Sequence, residues 1–217
     1  MNHAGYETGT GINIKWIDSG EVTGETATEL LRGIDGMIIP GGFGDRGIEG
    51  KISACRYARE KNIPYLGICL GMQIAVIEFA RNVCGLERAH SGEFDETSPH
   101  RVIDLMPGQA GMMGSGGTMR LGAYPCKIKP ATLMYSLYNT GEISERHRHR
   151  FEFNNDYKEI LERKGLVICG ESPDGGLVEA VELPDLRFFI GVQFHPEFKS
   201  RPTKPHPLFL GLVKAAL

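Results

Sequence analysis

The chain has 217 residues, a length that favours one large domain over two very small ones. Hydrophobic residues make up 41% and charged residues 24%, which is enough apolar material for a core and excludes disorder over most of the chain. The 24 Lys and Arg against 27 Asp and Glu leave a net charge of −3, which argues against a general nucleic-acid binder. No apolar run approaches the ~18 residues of a membrane span. Met1-Asn2-His3-Ala4-Gly5 lacks the apolar stretch of a signal peptide. The five cysteines (Cys55, Cys69, Cys84, Cys126, Cys169) are odd in number, widely spaced and without a C-x-x-C pair. That pattern excludes a full disulfide framework and the usual structural zinc spacings, so a reduced, cytoplasmic protein with no metal site is expected.

In chain order, Ile12 to Ile17 alternate as a strand would and end at the turn-forming Asp18-Ser19-Gly20. Thr26 to Leu31 reads as a short helix. Met37-Ile38-Ile39 is a wholly apolar run, expected of a parallel strand covered on both faces, and stops at Pro40-Gly41-Gly42-Phe43-Gly44. Ile48, Ile52 and Cys55 mark one face of a helix that must end before Pro64. Tyr65-Leu66-Gly67-Ile68 is a second buried strand, leading through Cys69 into an apolar helix over Ile74 to Ala80. This order predicts an α/β fold, an open, mostly parallel sheet flanked by helices. Val102 to Ile143 reads as a small, strand-rich antiparallel flap containing a Gly/Met loop at Gly108 to Gly117. The last third predicts a strand at Leu166 to Gly170, a hairpin around Asp174-Gly175-Gly176, a strand at Phe188 to Phe194 and a closing helix over Leu208 to Leu217.

The chemistry concentrates at Gly67-Ile68-Cys69-Leu70-Gly71, a G-x-C-x-G spacing between strand and helix. That is the nucleophile elbow with cysteine in place of serine, where flanking glycines let strand and helix approach closely. A lone cysteine is usually core filler; the glycines and the strand-to-helix junction reverse that reading. At a helix N-terminus the thiolate is favoured over the thiol, so Cys69 is expected to react with iodoacetamide well below the ordinary thiol pKa of about 8.5. A cysteine nucleophile needs a base and an orienting partner. His195, just past the strand Phe188 to Phe194, and Glu197 lie two residues apart and share one side if the backbone stays extended, as Pro196 favours for His195. The N–H of Leu70 and a glycine N–H from Pro40 to Gly44 are candidates for an oxyanion hole. In extended form Glu145-Arg146-His147-Arg148-His149-Arg150 puts its arginines on one face and its histidines on the other, a solvated face or a carboxylate clamp.

Together, Pro40 to Gly44, Gly67 to Gln73 and His195-Pro196-Glu197 resemble the class I (triad) glutamine amidotransferases. Gly117 to Gly122, Glu145 to Arg150 and Gln193 to Phe198 narrow the resemblance to the glutaminase domain of one nucleotide-aminating branch. The resemblance implies that Cys69 attacks the side-chain amide of L-glutamine, that His195 shuttles the proton, and that Glu197 orients it. It implies an oxyanion hole from Gly42 and Leu70 and a glutamine pocket from Gly42, Leu70, Gly71, Met72 and Gln73. Glu93 would face the substrate ammonium and Arg150 its carboxylate. In that branch the ammonia passes to an N-terminal synthetase domain that uses ATP and Mg²⁺, with GTP as activator and homo-oligomers formed through that domain.

The chain departs from that pattern in two ways. The synthetase domain and the first strand and helix of the glutaminase domain have no counterpart, and Met1 to Gly11 shows no strand pattern. The expectation is therefore a single, N-terminally truncated glutaminase domain over residues 1–217, without a cofactor of its own. The loop Gly108 to Gly117 carries no charged residue where GTP contacts would call for some. Two other readings stand beside this one: another Cys-His-Glu hydrolase, such as a peptidase or γ-glutamyl hydrolase, and a non-catalytic module that docks on a synthetase.

Overall fold

Short apolar runs become the buried strands of this chain, and the computed structural model, which describes residues 1–105 and 119–217, alternates them with helices. The helices are α1 (Asn2–Thr8), α2 (Ala27–Leu30), α3 (Ile48–Glu60), α4 (Leu70–Asn82), α5 (Leu133–Tyr138), α6 (Lys158–Arg163) and α7 (Pro207–Ala216). The strands are β1 (Met37–Ile39), β2 (Tyr65–Ile68), β3 (His90–Ser91), β4 (Arg101–Asp104), β5 (Arg120–Ile128), β6 (Glu142–His149), β7 (Glu152–Phe153), β8 (Val167–Glu171), β9 (Val178–Glu182) and β10 (Phe189–Val192). The main sheet has the order β1-β2-β10-β9-β8-β5-β6, and a small second sheet has the order β3-β4-β7.

Alternation along the central strands splits the core into two halves. Tyr65 and Phe189, paired in register, point to the α3 and α4 side and stack with ring centroids 4.4 Å apart. Leu66 and Ile190, one residue on, point to the opposite side, where α7 and α1 close the core. Every residue of α4 from Leu70 to Ala80 is buried, because this helix lies between the main sheet, α3 and the small sheet. Among the described residues no helix is long and apolar enough to cross a membrane.

The α/β sheet flanked by helices is the one expected, and its parallel part, β1-β2-β10, holds the strands whose ends carry the site. The other main-sheet pairings, β10-β9, β9-β8, β8-β5 and β5-β6, are antiparallel. Two expectations need correction. The strand-rich middle is no separate flap: β5 and β6 form a long hairpin that continues the main sheet, and only β4 joins the small one. Ile12 to Ile17 form no strand, since no described strand pairs with them, and Ile14 and Trp16 are left 45% and 86% exposed. Alternation without a neighbouring edge does not make a strand. Residues 2–8, for which the sequence suggested no element, form α1 against α7. The Gly/Met loop at 108–117 lies outside the described residues.

Three glycines set how closely α4 lies on the sheet. A Cβ on Gly67 would sit 2.5 Å from the Gly71 carbonyl oxygen, one on Gly191 would sit 3.1 Å from Met72, and one on Gly71 would collide with the Ile39 carbonyl oxygen. The obstacles at Gly67 and Gly71 are backbone, which cannot rotate away. Gly71→Ala is therefore expected to cost about 3 kcal/mol or more, the upper range for an overpacked core site. Urea unfolding of the variant beside wild type checks this, and a loss below about 0.5 kcal/mol would contradict the close approach.

Candidate active site

Cys69 is the single residue between β2 and α4, and it has φ 52 and ψ −103. A side chain in this left-handed region is strained by about 1–3 kcal/mol and persists only where its surroundings fix it. Here its N–H donates to the Val192 carbonyl at 2.7 Å, and its own carbonyl accepts from Met72 and Gln73 in the first turn of α4. Tyr65, buried under the elbow, donates its hydroxyl to the Gly71 carbonyl at 2.8 Å. The turn is thus tied to β10, α4 and β2 at once.

His195 follows β10, and its Nδ1 lies 2.7 Å from Glu197 Oε1. A carboxylate only accepts, so Nδ1 carries a proton, and in the neutral ring Nε2 holds the lone pair. Nε2 is buried and has no hydrogen-bond partner. The backbone is not extended as expected. Pro196–Phe198 form a 3₁₀ turn that folds Glu197 back on the ring, with Pro196 in the first helical position, which it suits. The His195 N–H donates to the Arg146 carbonyl on β6 at 2.8 Å, and Lys199 Nζ donates to the Ser144 carbonyl of the same strand.

The loop after β1 comes in from the third side. A Cβ on Gly41 would lie 2.8 Å from His195 Cε1 and 3.5 Å from Cys69 Cβ, so only glycine lets this backbone reach the pair. Gly42 follows, packed near the Leu70 side chain. Gly42, Phe43, Cys69, Leu70, Gln73, Glu93, His149, Arg150 and Phe151 line one cleft. The structure thus gathers the expected Gly42, Leu70, Gln73, Glu93 and Arg150 around Cys69. Gly71 and Met72 do not line this cleft. Gly71 faces the Ile39 backbone, and the fully buried Met72 packs beneath β10. Burial raises the pKa of Glu93 and the Arg150 charge opposes that rise, so carboxylate and guanidinium share one opening.

The sulfur environment overturns the expected thiolate. Burial pushes the Cys69 thiol up to about 12, with the charges of Glu197, Glu152 and Glu93 adding to it against the Leu70 N–H. One backbone N–H at a helix start does not outweigh desolvation among three carboxylates. The resting group is a thiol.

The alternation of β6 is as expected: Glu145, His147 and His149 are buried, and Arg146 and Arg148 exposed. What the buried side meets is not visible from the strand's own residues. His149 Nε2 lies 2.7 Å from Glu152, and Arg120 bonds both Glu152 and Glu179. His147 stays between Tyr124, His149 and Phe194; among the described residues neither ring nitrogen has a hydrogen-bond partner, and Nδ1 lies 3.7 Å from Glu179. Its pKa falls from 6.5 to about 2 through burial first and then the charge of Arg120.

The family model for glutamine amidotransferase class-I matches residues 1–215, and the chain belongs to that family. Within it, the similarity is to CTP synthase. The chain is 61% identical to CTP synthase of Halalkalibacterium halodurans over all 217 residues and 58% identical to that of Staphylococcus aureus. It covers 41% and 40% of those proteins, about two fifths of the curated relatives' length. The structure superimposes on the glutaminase domain of Trypanosoma brucei CTPS with bound acivicin with a TM-score of 0.94 at 43% identity. That match covers 99% of this chain and 84% of the other.

Two outcomes are expected here. Alkylation of Cys69 by iodoacetamide, mapped by peptide mass, should keep rising between pH 7 and pH 10; a plateau reached below about pH 8.5 would restore the thiolate reading. His147 stays neutral in the folded chain down to about pH 2, while in the unfolded chain it takes a proton below 6.5. The fold therefore loses stability as pH falls below 6.5. His147→Phe should remove about 1.4 kcal/mol per pH unit from the slope of unfolding free energy between pH 6 and 4, and an unchanged slope would place the ring in contact with solvent.

Proposed function

We propose that this chain is the glutaminase part of a CTP synthase, hydrolysing L-glutamine to glutamate and ammonia. The observation that carries the reading is the cleft itself, where a strained Cys69 shares an opening with one carboxylate and one guanidinium, Glu93 and Arg150, while the His195–Glu197 pair meets Cys69 across Gly41. An α-amino acid presents an ammonium and a carboxylate, and Glu93 and Arg150 match them. The side-chain amide then lies over the sulfur.

In this reading His195 Nε2 takes the Cys69 proton as sulfur adds to the amide carbon. The oxyanion rests on the N–H groups of Gly42 and Leu70. The tetrahedral intermediate collapses with the C–N bond breaking, Nε2 returns the proton to the nitrogen, and ammonia leaves a glutamyl thioester. Water, deprotonated at Nε2, attacks the thioester and releases glutamate and the thiol. Glu197 keeps Nδ1–H pinned throughout, so the lone pair always faces the reaction.

The ammonia would serve the ATP- and Mg²⁺-dependent amination of UTP to CTP in a synthetase domain, with GTP activating glutamine hydrolysis and oligomers formed through that domain. The likeness to CTP synthases over the whole chain supports this. Five free cysteines fit a reducing, cytoplasmic setting.

The test is glutamate release from glutamine by the folded chain beside Cys69→Ala, with and without acivicin. Release abolished at least about a thousandfold by the substitution and blocked by acivicin is expected. Release that survives Cys69→Ala would refute the assignment, and a folded chain inert towards glutamine would favour the docking-module reading.

A further inference from the structure

Behind the nucleophile lies a side chain to which the sequence motifs give no role. Gln193, fully buried between β10 and His195, points its side-chain amide at the nucleophile: Nε2 lies 3.6 Å from Cys69 Sγ. Gln73 lies 3.2 Å from the other end of the same amide, and also donates to the Phe151 carbonyl at 3.0 Å.

This chain of bonds has a direction. The Phe151 carbonyl can only accept, so Gln73 must present Nε2 to it. The second hydrogen of that same nitrogen then needs an acceptor, which fixes Oε1 of Gln193 on the Gln73 side. Nε2 of Gln193 is left facing the sulfur. Reversing Gln193 would set two donors against each other, and reversing Gln73 would set acceptor against acceptor, in a buried site at a cost of about 1–3 kcal/mol. The backbone under this side chain is fixed as well, since the Gln193 main-chain N–H donates to the Glu179 carbonyl at 2.8 Å.

We propose that Gln193 is a further residue of the nucleophile's machinery: its amide N–H holds Cys69 Sγ and stabilises the negative charge that develops there when His195 removes the proton. The need for such a donor is plain from the surroundings. The charges of Glu197, Glu152 and Glu93 all oppose negative charge on the sulfur, and the N–H of Leu70 favours it. Gln193 adds a second, side-chain donor without bringing in a formal charge. Through Gln73, which also lines the cleft, it connects the sulfur to the wall of the glutamine pocket. This deepens the glutaminase reading, but its test does not need glutamine.

Gln193→Met keeps the length of the side chain and removes the donor. Alkylation of Cys69 by iodoacetamide at pH 9 should slow about tenfold, the usual worth of a hydrogen bond to a charged group. The kcat for glutamate release should fall by about the same factor while KM stays within about twofold, because the donor acts on the developing charge. A variant that melts with wild type and alkylates within about twofold of it would overturn the proposal. So would a change in KM alone. If the variant does not fold, the readout is the side-chain amide signal of Gln193 in labelled wild-type protein beside Cys69→Ala. Loss of the sulfur should shift that signal and speed its hydrogen exchange; an unmoved signal would overturn the proposal. A chain that releases no glutamate yet shows the alkylation difference would refute the glutaminase reading and leave the Gln193 contact standing.

Discussion

Much of this molecule is arranged to keep one backbone unit in a conformation it would not choose. Cys69 has positive φ with a side chain attached, and three independent bonds hold it there: to Val192 on β10, to the first turn of α4, and through Tyr65 and Gly71 to β2. The glycines at 67, 71 and 191 exist for the same end, removing each Cβ that would push α4 away from the sheet. Without that proximity the sulfur could not sit level with the end of β10, where His195 begins. The strain is local, and the core on both sides of β2 and β10 sustains it.

The elbow also determines what else the site must provide. A sulfur placed so deep loses its solvent, and the nearby carboxylates raise its pKa further. An exposed thiolate would be more reactive towards everything; a buried thiol reacts only where a base and donors are already in position. The His195–Glu197 pair, the Gly41–Gly42 backbone and the Gln193 amide are such groups, brought from the ends of β10 and β1, the two strands that flank β2.

The positions of Cys69, His195 and the glycine loop were legible in the sequence because each sits at the end of a short apolar run, where a strand can be read and its exit located. That the arginines and histidines of β6 fall on opposite faces was legible from simple alternation, whereas the place of Arg150 came only from the family resemblance. What escaped reading depended on partners distant in the chain. No local signal near Gln193 tells that Gln73, 120 residues away, fixes which end of its amide faces the sulfur. The thiol state of Cys69 was misjudged for the same reason, since the helix start is visible in the sequence while Glu93, Glu152 and Glu197 converge only in space. Likewise Glu197 reaches His195 through a 3₁₀ turn, not the extended backbone that a two-residue spacing suggests. And Ile12 to Ile17, with a strand's alternation, had no edge to join.

The turn that carries His195 and Glu197 lies against β6, the last strand of the main sheet. An eight-residue edge strand offers its free carbonyls to any passing chain and is a standing invitation to aggregation. Here the His195 N–H occupies the Arg146 carbonyl, Lys199 occupies that of Ser144, and the exposed Arg146 and Arg148 add charge along the same border. The segment from 195 to 199 is therefore a guard on the sheet as well as a bearer of the base. Colloidal behaviour and the proposed turnover are bound to the same five residues, so selection on either one constrains the other.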